Sequence, residues 1–137
     1  MTIFVDTSVW FGAAYAKDRG NARAKTILSS TNELATSNFV LLETWYLLRN
    51  RLSWAAAEIF VQNIRNGIAA LEYVLPADIE SAQAIGARFA DQEFSLTDRT
   101  SFALMERLGI EQAASFDADF AVYRFGRDRT KAFGVLN

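Results

Sequence analysis

Thr2-Ile3-Phe4-Val5-Asp6-Thr7-Ser8 is the stretch from which the rest of the chain is read. Its first four residues are mostly β-branched or aromatic and form a short strand, and the three that follow all favour a helix N-cap. A carboxylate, Asp6, therefore stands at the carboxyl end of a strand, with a helix from Thr7 to Ala16 behind it. The same alternation continues outward. A second helix runs from Asn21 to Ser29, and Leu34-Ala35-Thr36 is a weak strand. Ser37-Asn38 caps an apolar helix from Phe39 to Asn50. Ser53 caps the next helix, through Asn66, and Gly67 stops it. Ala70 to Leu75 reads as a strand, and Pro76 opens a helix whose buried face is Ile79, Ala82, Ile85, Ala87 and Phe89. Ser95 begins a helix to Leu108, stopped by Gly109. Ala113 to Phe116 is a strand ending at Asp117-Ala118-Asp119, and Lys131 to Val135 is an edge strand. Short apolar strands alternating with helices give an α/β fold with a mainly parallel sheet, in which ligands gather beyond the carboxyl ends of the strands.

The 137 residues, 51% of them apolar and 22% charged, suit one hydrophobic core, so residues 1–137 are expected to form a single domain. The chain has neither Cys nor His. Disulfide scaffolds, thiolate or imidazole zinc sites, haem ligation by His or Cys, and Cys-His or Ser-His-Asp nucleophiles are thereby excluded. With no basic leader and no apolar stretch of about 18 residues, the expectation is a cytoplasmic protein without a membrane span. The net charge of −2 conceals two basic clusters, Lys17, Arg19, Arg23, Lys25 and Arg124, Arg127, Arg129, Lys131. Such clusters are ordinarily solvated surface; around an acidic centre they also make a rim that follows phosphates.

The acids carry the chemistry. Asp6 and Asp117 each follow a strand, so parallel neighbours would open both carboxylates onto one sheet edge; the competing reading is that each caps the helix behind it. Glu43 has Phe39, Val40, Tyr46 and Leu47 one turn away and is read as lying on an apolar helix face. A carboxylate there requires compensation, either an ion pair with Arg49, Arg51 or Arg65, or a metal or shared acidic site. Asp98 follows Ser95 by one turn and reads as a capping-box partner, yet Phe102 and Met105 place it on an inward stripe.

Four carboxylates in one cleft repel unless a divalent cation neutralises them, and an all-oxygen donor set favours Mg²⁺ or Mn²⁺. Such a site suits phosphodiester hydrolysis. Neither a P-loop nor a G-x-G-x-x-G motif is present, and Ser8 stands where an aspartyl-phosphate enzyme needs a second Asp. Trp10, Phe11, Tyr15, Trp45 and Trp54 read as core, with base stacking or partner binding the alternative.

Phe4-Val5-Asp6-Thr7-Ser8, the lone Glu43, Ser95-Leu96-Thr97-Asp98 and Ser115-Phe116-Asp117-Ala118-Asp119-Phe120 together resemble the PIN-domain nucleases, most closely the VapC-type toxins of toxin-antitoxin pairs. The resemblance spans essentially the whole chain. It implies a PIN-like three-layer α/β/α fold, Mg²⁺- or Mn²⁺-dependent endoribonuclease activity, an RNA substrate, a homodimer and a cognate antitoxin. Carried over residue by residue, Asp6, Glu43, Asp98 and Asp117 match the catalytic and metal-binding acids. Ser8 and Ser115 match the hydroxyl residues beside the first and last of them. Asp119 stands beside Asp117 where the family is often described by one final acid, and Asp117 is assigned because it directly follows the strand. The antitoxin is expected to insert Arg or Lys among the carboxylates and to pack on the early helices, with Trp10, Phe11 and Tyr15 as anchors. Two other readings remain: a PIN-like module that binds RNA or protein without cutting, and a hydrolase of small phosphoesters.

Overall fold

The computed structural model describes residues 1–137. Five strands, β1 Thr2–Val5, β2 Glu33–Ser37, β3 Ala70–Glu72, β4 Gln112–Ala114 and β5 Gly134–Leu136, form one sheet in the order β3-β2-β1-β4-β5. Every pairing is parallel. In β1 the last three residues are buried, and in β2 the last four, without alternation, as expected where helices cover both faces of a parallel sheet.

The helices are α1 Thr7–Ala14, α2 Asn21–Leu28, α3 Asn38–Arg51, α4 Trp54–Arg65, α5 Pro76–Arg88, α6 Leu96–Leu108 and α7 Asp119–Val122, with a 3-10 turn at Ala90–Gln92. The chain moves from β1 to β2 to β3 in one direction across the sheet, then returns to add β4 on the other side of β1. Right-handed crossovers put α1–α4 on one face and α5–α7 on the other. The reversal makes a crevice at the carboxyl ends of β1 and β4, where Asp6 and Ser115-Phe116-Asp117 emerge.

Local chemistry sets the boundaries. Ser37, Ser53 and Ser95 each accept a backbone N–H of the first helical turn, from Val40, Ala56 and Asp98 respectively. α6 ends at Gly109, whose φ of 69° is the left-handed conformation that residue adopts without steric cost. β3 stops at Glu72 because its partner β2 ends at Ser37; the Val74 N–H turns instead to the Asn38 side-chain oxygen at 2.9 Å. β4 ends at Ala114, level with Val5, and the backbone beyond it turns toward the crevice. Lys131 lies outside β5: it forms an antiparallel bridge with Phe125 that closes a loop.

On α5 Ala82 and Ile85 are buried and Phe89 is half-buried, as expected, whereas Ile79 and Ala87 are exposed and Asp78 is buried in their place, so the buried face turns toward Asp78. Asp78 is tolerated there because Arg107 clasps it through two nitrogens, both at 2.9 Å.

One core cluster runs through both layers, including Phe4, Val9, Leu48, Phe102, Leu104 and Phe120. Phe102 stacks on Tyr123 with centroids 4.4 Å apart and meets Phe120 edge-on at 5.0 Å. These contacts fasten α7, a helix of only one turn, to α6. They thereby fix the two acids at its start against Asp98. Trp10 is 4% exposed, and its indole N–H donates to the Thr36 hydroxyl at 3.2 Å, so it packs inside and does not stand on the surface as an anchor. Phe11, Tyr15 and Trp45 are half-buried, and Trp54 is exposed.

Candidate active site

Asp6 stands at the floor of the crevice, 3% exposed. The β1–β4 register pairs Val5 with Ala114, and the Asp6 N–H adds one more rung to the Ala114 carbonyl at 3.0 Å, which brings Asp6 level with Ser115. Two hydroxyls hold it. Ser115 donates to Asp6 Oδ2 at 2.9 Å and accepts the Asp117 N–H at 3.0 Å. Ser8 donates to the same oxygen at 3.1 Å and accepts the Phe116 N–H at 2.9 Å. Each hydroxyl thus uses its proton on the carboxylate and a lone pair on the backbone after β4, tying the first acid to the loop that carries the last. The Asp6 side chain makes no N-capping bond into α1 beyond the adjacent Thr7 amide, so capping does not account for it.

Asp98 lies in the first turn of α6 and is 7% exposed. The capping reading is half met: Ser95 Oγ accepts the Asp98 N–H at 3.1 Å, but the Asp98 carboxylate makes no return bond to the Ser95 amide. It turns instead to Asp117 and Asp119, and the three carboxylates each offer an oxygen within 4.8 Å of the others. Asp117 Oδ1 accepts the Asp119 N–H at 3.0 Å, an Asx turn that starts α7 and fixes both acids on one side. Asp119 belongs to the cluster as fully as Asp117. The repeated Asp at a spacing of two was the sequence signal for it.

Glu43 is corrected. It is exposed, not buried on an apolar face, because the buried stripe of α3 is Val40, Thr44 and Leu48. No arginine pairs with it: the one ion pair in the chain is Arg107–Asp78. Apolar residues surround α3 so widely, Leu42 and Tyr46 being more than half exposed, that apolar neighbours do not locate its core side. Glu43 stays outside the three-acid group, yet its charge acts on Asp6. The residue beside it, Thr44, went unnoticed in the sequence; it is fully buried and donates to Thr7 Oγ1 at 3.3 Å, joining α3 to the start of α1.

The electrostatics follow from burial and crowding. Burial raises the Asp6 carboxyl above its usual range and the Glu43 charge adds to this, while hydrogen bonds from Ser115, the Thr7 amide and Ser8 pull it back. Asp98 is pushed up to about 8, first by burial, then by the charges of Asp6 and Asp117 and by a hydrogen bond with Asp119. Asp119 is raised by burial and by Asp117. Buried carboxylates normally have a cationic partner, and here neither Asp6 nor Asp98 has a Lys or Arg within 4.0 Å. An all-oxygen cluster lacking positive charge is a donor set for a hard divalent cation.

Acids held by a β3-β2-β1-β4-β5 parallel sheet at its reversal point define a PIN-type nuclease domain, and the chain belongs to the PIN domain family, whose model matches residues 3–126. It is 37% identical over 124 residues to the 23S rRNA-specific endonuclease VapC20 of Mycobacterium tuberculosis, covering 90% of this chain and 95% of the relative. The crystal structure of VapC20, described as a sarcin-ricin loop cleaving toxin, matches with a TM-score of 0.82 and 38% identity, over 88% of this chain and 93% of that one. VapBC2 from Rickettsia felis, bound to a DNA fragment from its promoter, matches the full length of both chains with a TM-score of 0.63 at 11% identity, a likeness of fold alone. No helix is long and apolar enough to cross a membrane.

Proposed function

We propose that this chain is a metal-dependent endoribonuclease toxin of the VapC type, hydrolysing RNA phosphodiester bonds at the crevice formed by Asp6, Asp98, Asp117 and Asp119. The observation that carries the reading is a pair of buried carboxylates, Asp6 and Asp98, without a cationic partner and beside two further acids. Asp98, Asp117 and Asp119 would hold a Mg²⁺ or Mn²⁺ ion. Such an ion supplies positive charge that polarises a phosphoryl oxygen and eases deprotonation of the attacking water. Asp6, oriented by Ser8 and Ser115, forms the floor that keeps the acids converged, and exposed Glu43 contributes negative charge at the rim. Asp98 would bind the ion in its charged form, and in the metal-free crevice a proton on its crowded carboxyl competes with the ion for the same oxygens.

The substrate best supported is a ribosomal RNA loop, by likeness to VapC20, a 23S rRNA-specific endonuclease. Residues 1–137 act as one domain in this reading, as a homodimer in the cytoplasm. A VapB-type antitoxin silences the crevice by placing an arginine or lysine among the carboxylates, where its charge substitutes for the ion.

The experiment is to incubate purified protein and Asp6→Asn with an RNA hairpin carrying the sarcin-ricin loop and, separately, with p-nitrophenyl phosphate. Cleavage of the hairpin by the wild type alone, with the small ester untouched, is the expected result. Ester turnover without RNA cleavage would favour the small-phosphoester hydrolase, and inertness toward both a binding module.

A further inference from the structure

Next to the carboxylates lies a cavity of about 580 Å³ bordered by Ser8, Phe11, Arg19, Arg23, Arg51 and Phe116. It shares a wall with the acidic crevice. Ser8, whose hydroxyl donates to Asp6 on one side, borders the cavity on the other, and Phe116 is the residue between Ser115 and Asp117. The Phe116 ring is seated by two glycines: a Cβ at position 20 would come to 2.5 Å from its Cε2 atom, and one at position 12 to 3.2 Å. The cavity wall is therefore fixed to the loop that carries Asp117 and Asp119.

Three guanidinium groups from separate parts of the chain border this one space: Arg19 in the turn before α2, Arg23 on α2 and Arg51 at the end of α3. Arg19 and Arg51 make no side-chain hydrogen bond, and none of the three has an Asp or Glu carboxylate within 4.0 Å. Arg23 engages only Nε, on the main-chain oxygen of Asn137 at 3.0 Å. Asp18, which also borders the cavity, accepts the Gly20 N–H at 2.8 Å and pairs with none of them. Arg107 holds Asp78, Arg99 donates to the carbonyls of Phe94 and Ala82, and Arg124 to those of Ala121 and Val122; Arg49, Arg65, Arg88, Arg127 and Arg129 are also unbonded, but none of them borders the cavity beside the carboxylates. The second basic cluster, Arg124, Arg127, Arg129 and Lys131, carries an acid of its own, Asp128, whose carboxylate accepts the Thr130 N–H and hydroxyl.

A nucleic-acid strand that approaches a crowd of carboxylates is repelled unless positive charge beside them offsets the field. We infer that the Arg19–Arg23–Arg51 cavity is the subsite for RNA backbone phosphates adjoining the cleaved bond, entering past Ser8 and Phe116. The inference rests on the endoribonuclease reading and adds the side of the crevice along which the strand lies. Guanidinium groups suit this task because their planar donors match phosphate oxygens in pairs.

The test measures binding of a fluorescein-labelled RNA hairpin carrying the sarcin-ricin loop, by anisotropy, in EDTA and across a range of salt concentrations. Arg19→Gln, Arg23→Gln and Arg51→Gln are each expected to weaken binding about 5-fold, and the triple variant to flatten the slope of log affinity against log salt by about 2. Arg127→Gln with Arg129→Gln should leave affinity within about 2-fold of wild type. A triple Arg→Lys variant keeps the charges and should keep the slope. A Gln triple with unaltered affinity and slope, equal losses from the Arg127 and Arg129 changes, or a Lys triple as weak as the Gln triple would each overturn the subsite. Cleavage of the hairpin by wild type in Mn²⁺ is scored separately. Cleavage with an unaffected Gln triple sinks the subsite alone, and arginine-dependent binding without cleavage sinks the nuclease reading alone.

Discussion

Asp98→Asn removes the charge of a strongly perturbed carboxyl in the crevice while keeping its shape. In the unfolded chain an aspartate titrates near about 3.9, whereas in the fold Asp98 is pushed up to about 8. Between these values the folded protein holds a proton that the unfolded chain has released. The stability of the metal-free protein therefore falls as pH rises through this window and levels off above about 8. Each pH unit inside the window corresponds to about 1.4 kcal/mol, so from about pH 6 to 8 the wild type should lose about 2 kcal/mol that Asp98→Asn does not lose. For a chain of this size that is a melting shift of about 7 °C. The assay is urea and thermal unfolding of both proteins in EDTA at the two pH values. Mn²⁺ should then raise the wild-type midpoint more than that of the variant, because binding to the folded state alone stabilises it. Parallel pH profiles, or an Asn variant that is the less stable of the two at the higher pH, would refute the crowded-carboxyl argument.

Three further changes separate scaffold from site. Glu43→Gln alters an exposed side chain, so unfolding should stay within about 0.5 kcal/mol of wild type while RNA cleavage falls; equal cleavage would remove Glu43 from the site. Ser115→Ala deletes a donor to Asp6 and an acceptor for the Asp117 N–H, and is expected to cost about 1–3 kcal/mol in a urea titration together with most of the activity. Arg107→Ala strands Asp78, which is 2% exposed, and should destabilise by about 2–3 kcal/mol at neutral pH. The Asp78 carboxyl is held below its usual range, chiefly by the hydrogen bonds from Arg107, so this contribution is present above about pH 4 and is lost as pH falls through the lowered value. A destabilisation by Arg107→Ala that persisted undiminished in strong acid would argue for lost packing instead.

Much of this site was legible because strands and their terminators carry it. Asp6 and Asp117 follow short apolar runs, and the parallel pairing of those runs puts both at one edge. Ser95 and Gly109 mark α6 cleanly, so the inward stripe through Asp98 and Phe102 is readable from spacing. Glu43 was misplaced because α3 is apolar on nearly every side, leaving periodicity no contrast to work with. The α5 face slipped for a related reason: its true stripe starts with Asp78, a charged residue whose burial depends on Arg107, far along the chain. The joining of Arg19 and Arg23 with Arg51 was equally hidden, since it arises from the packing of α1 against both α2 and α3 and from no local pattern.

The most direct measurement is cleavage of the sarcin-ricin hairpin by metal-stripped protein as Mg²⁺ or Mn²⁺ is added back, with Asp6→Asn as the control for contaminating nuclease. Cleavage should be absent in EDTA, rise to saturation with either ion, and remain absent in Asp6→Asn throughout. Undiminished cleavage by the wild type in EDTA, with Asp6→Asn inert, would contradict a metal-dependent crevice.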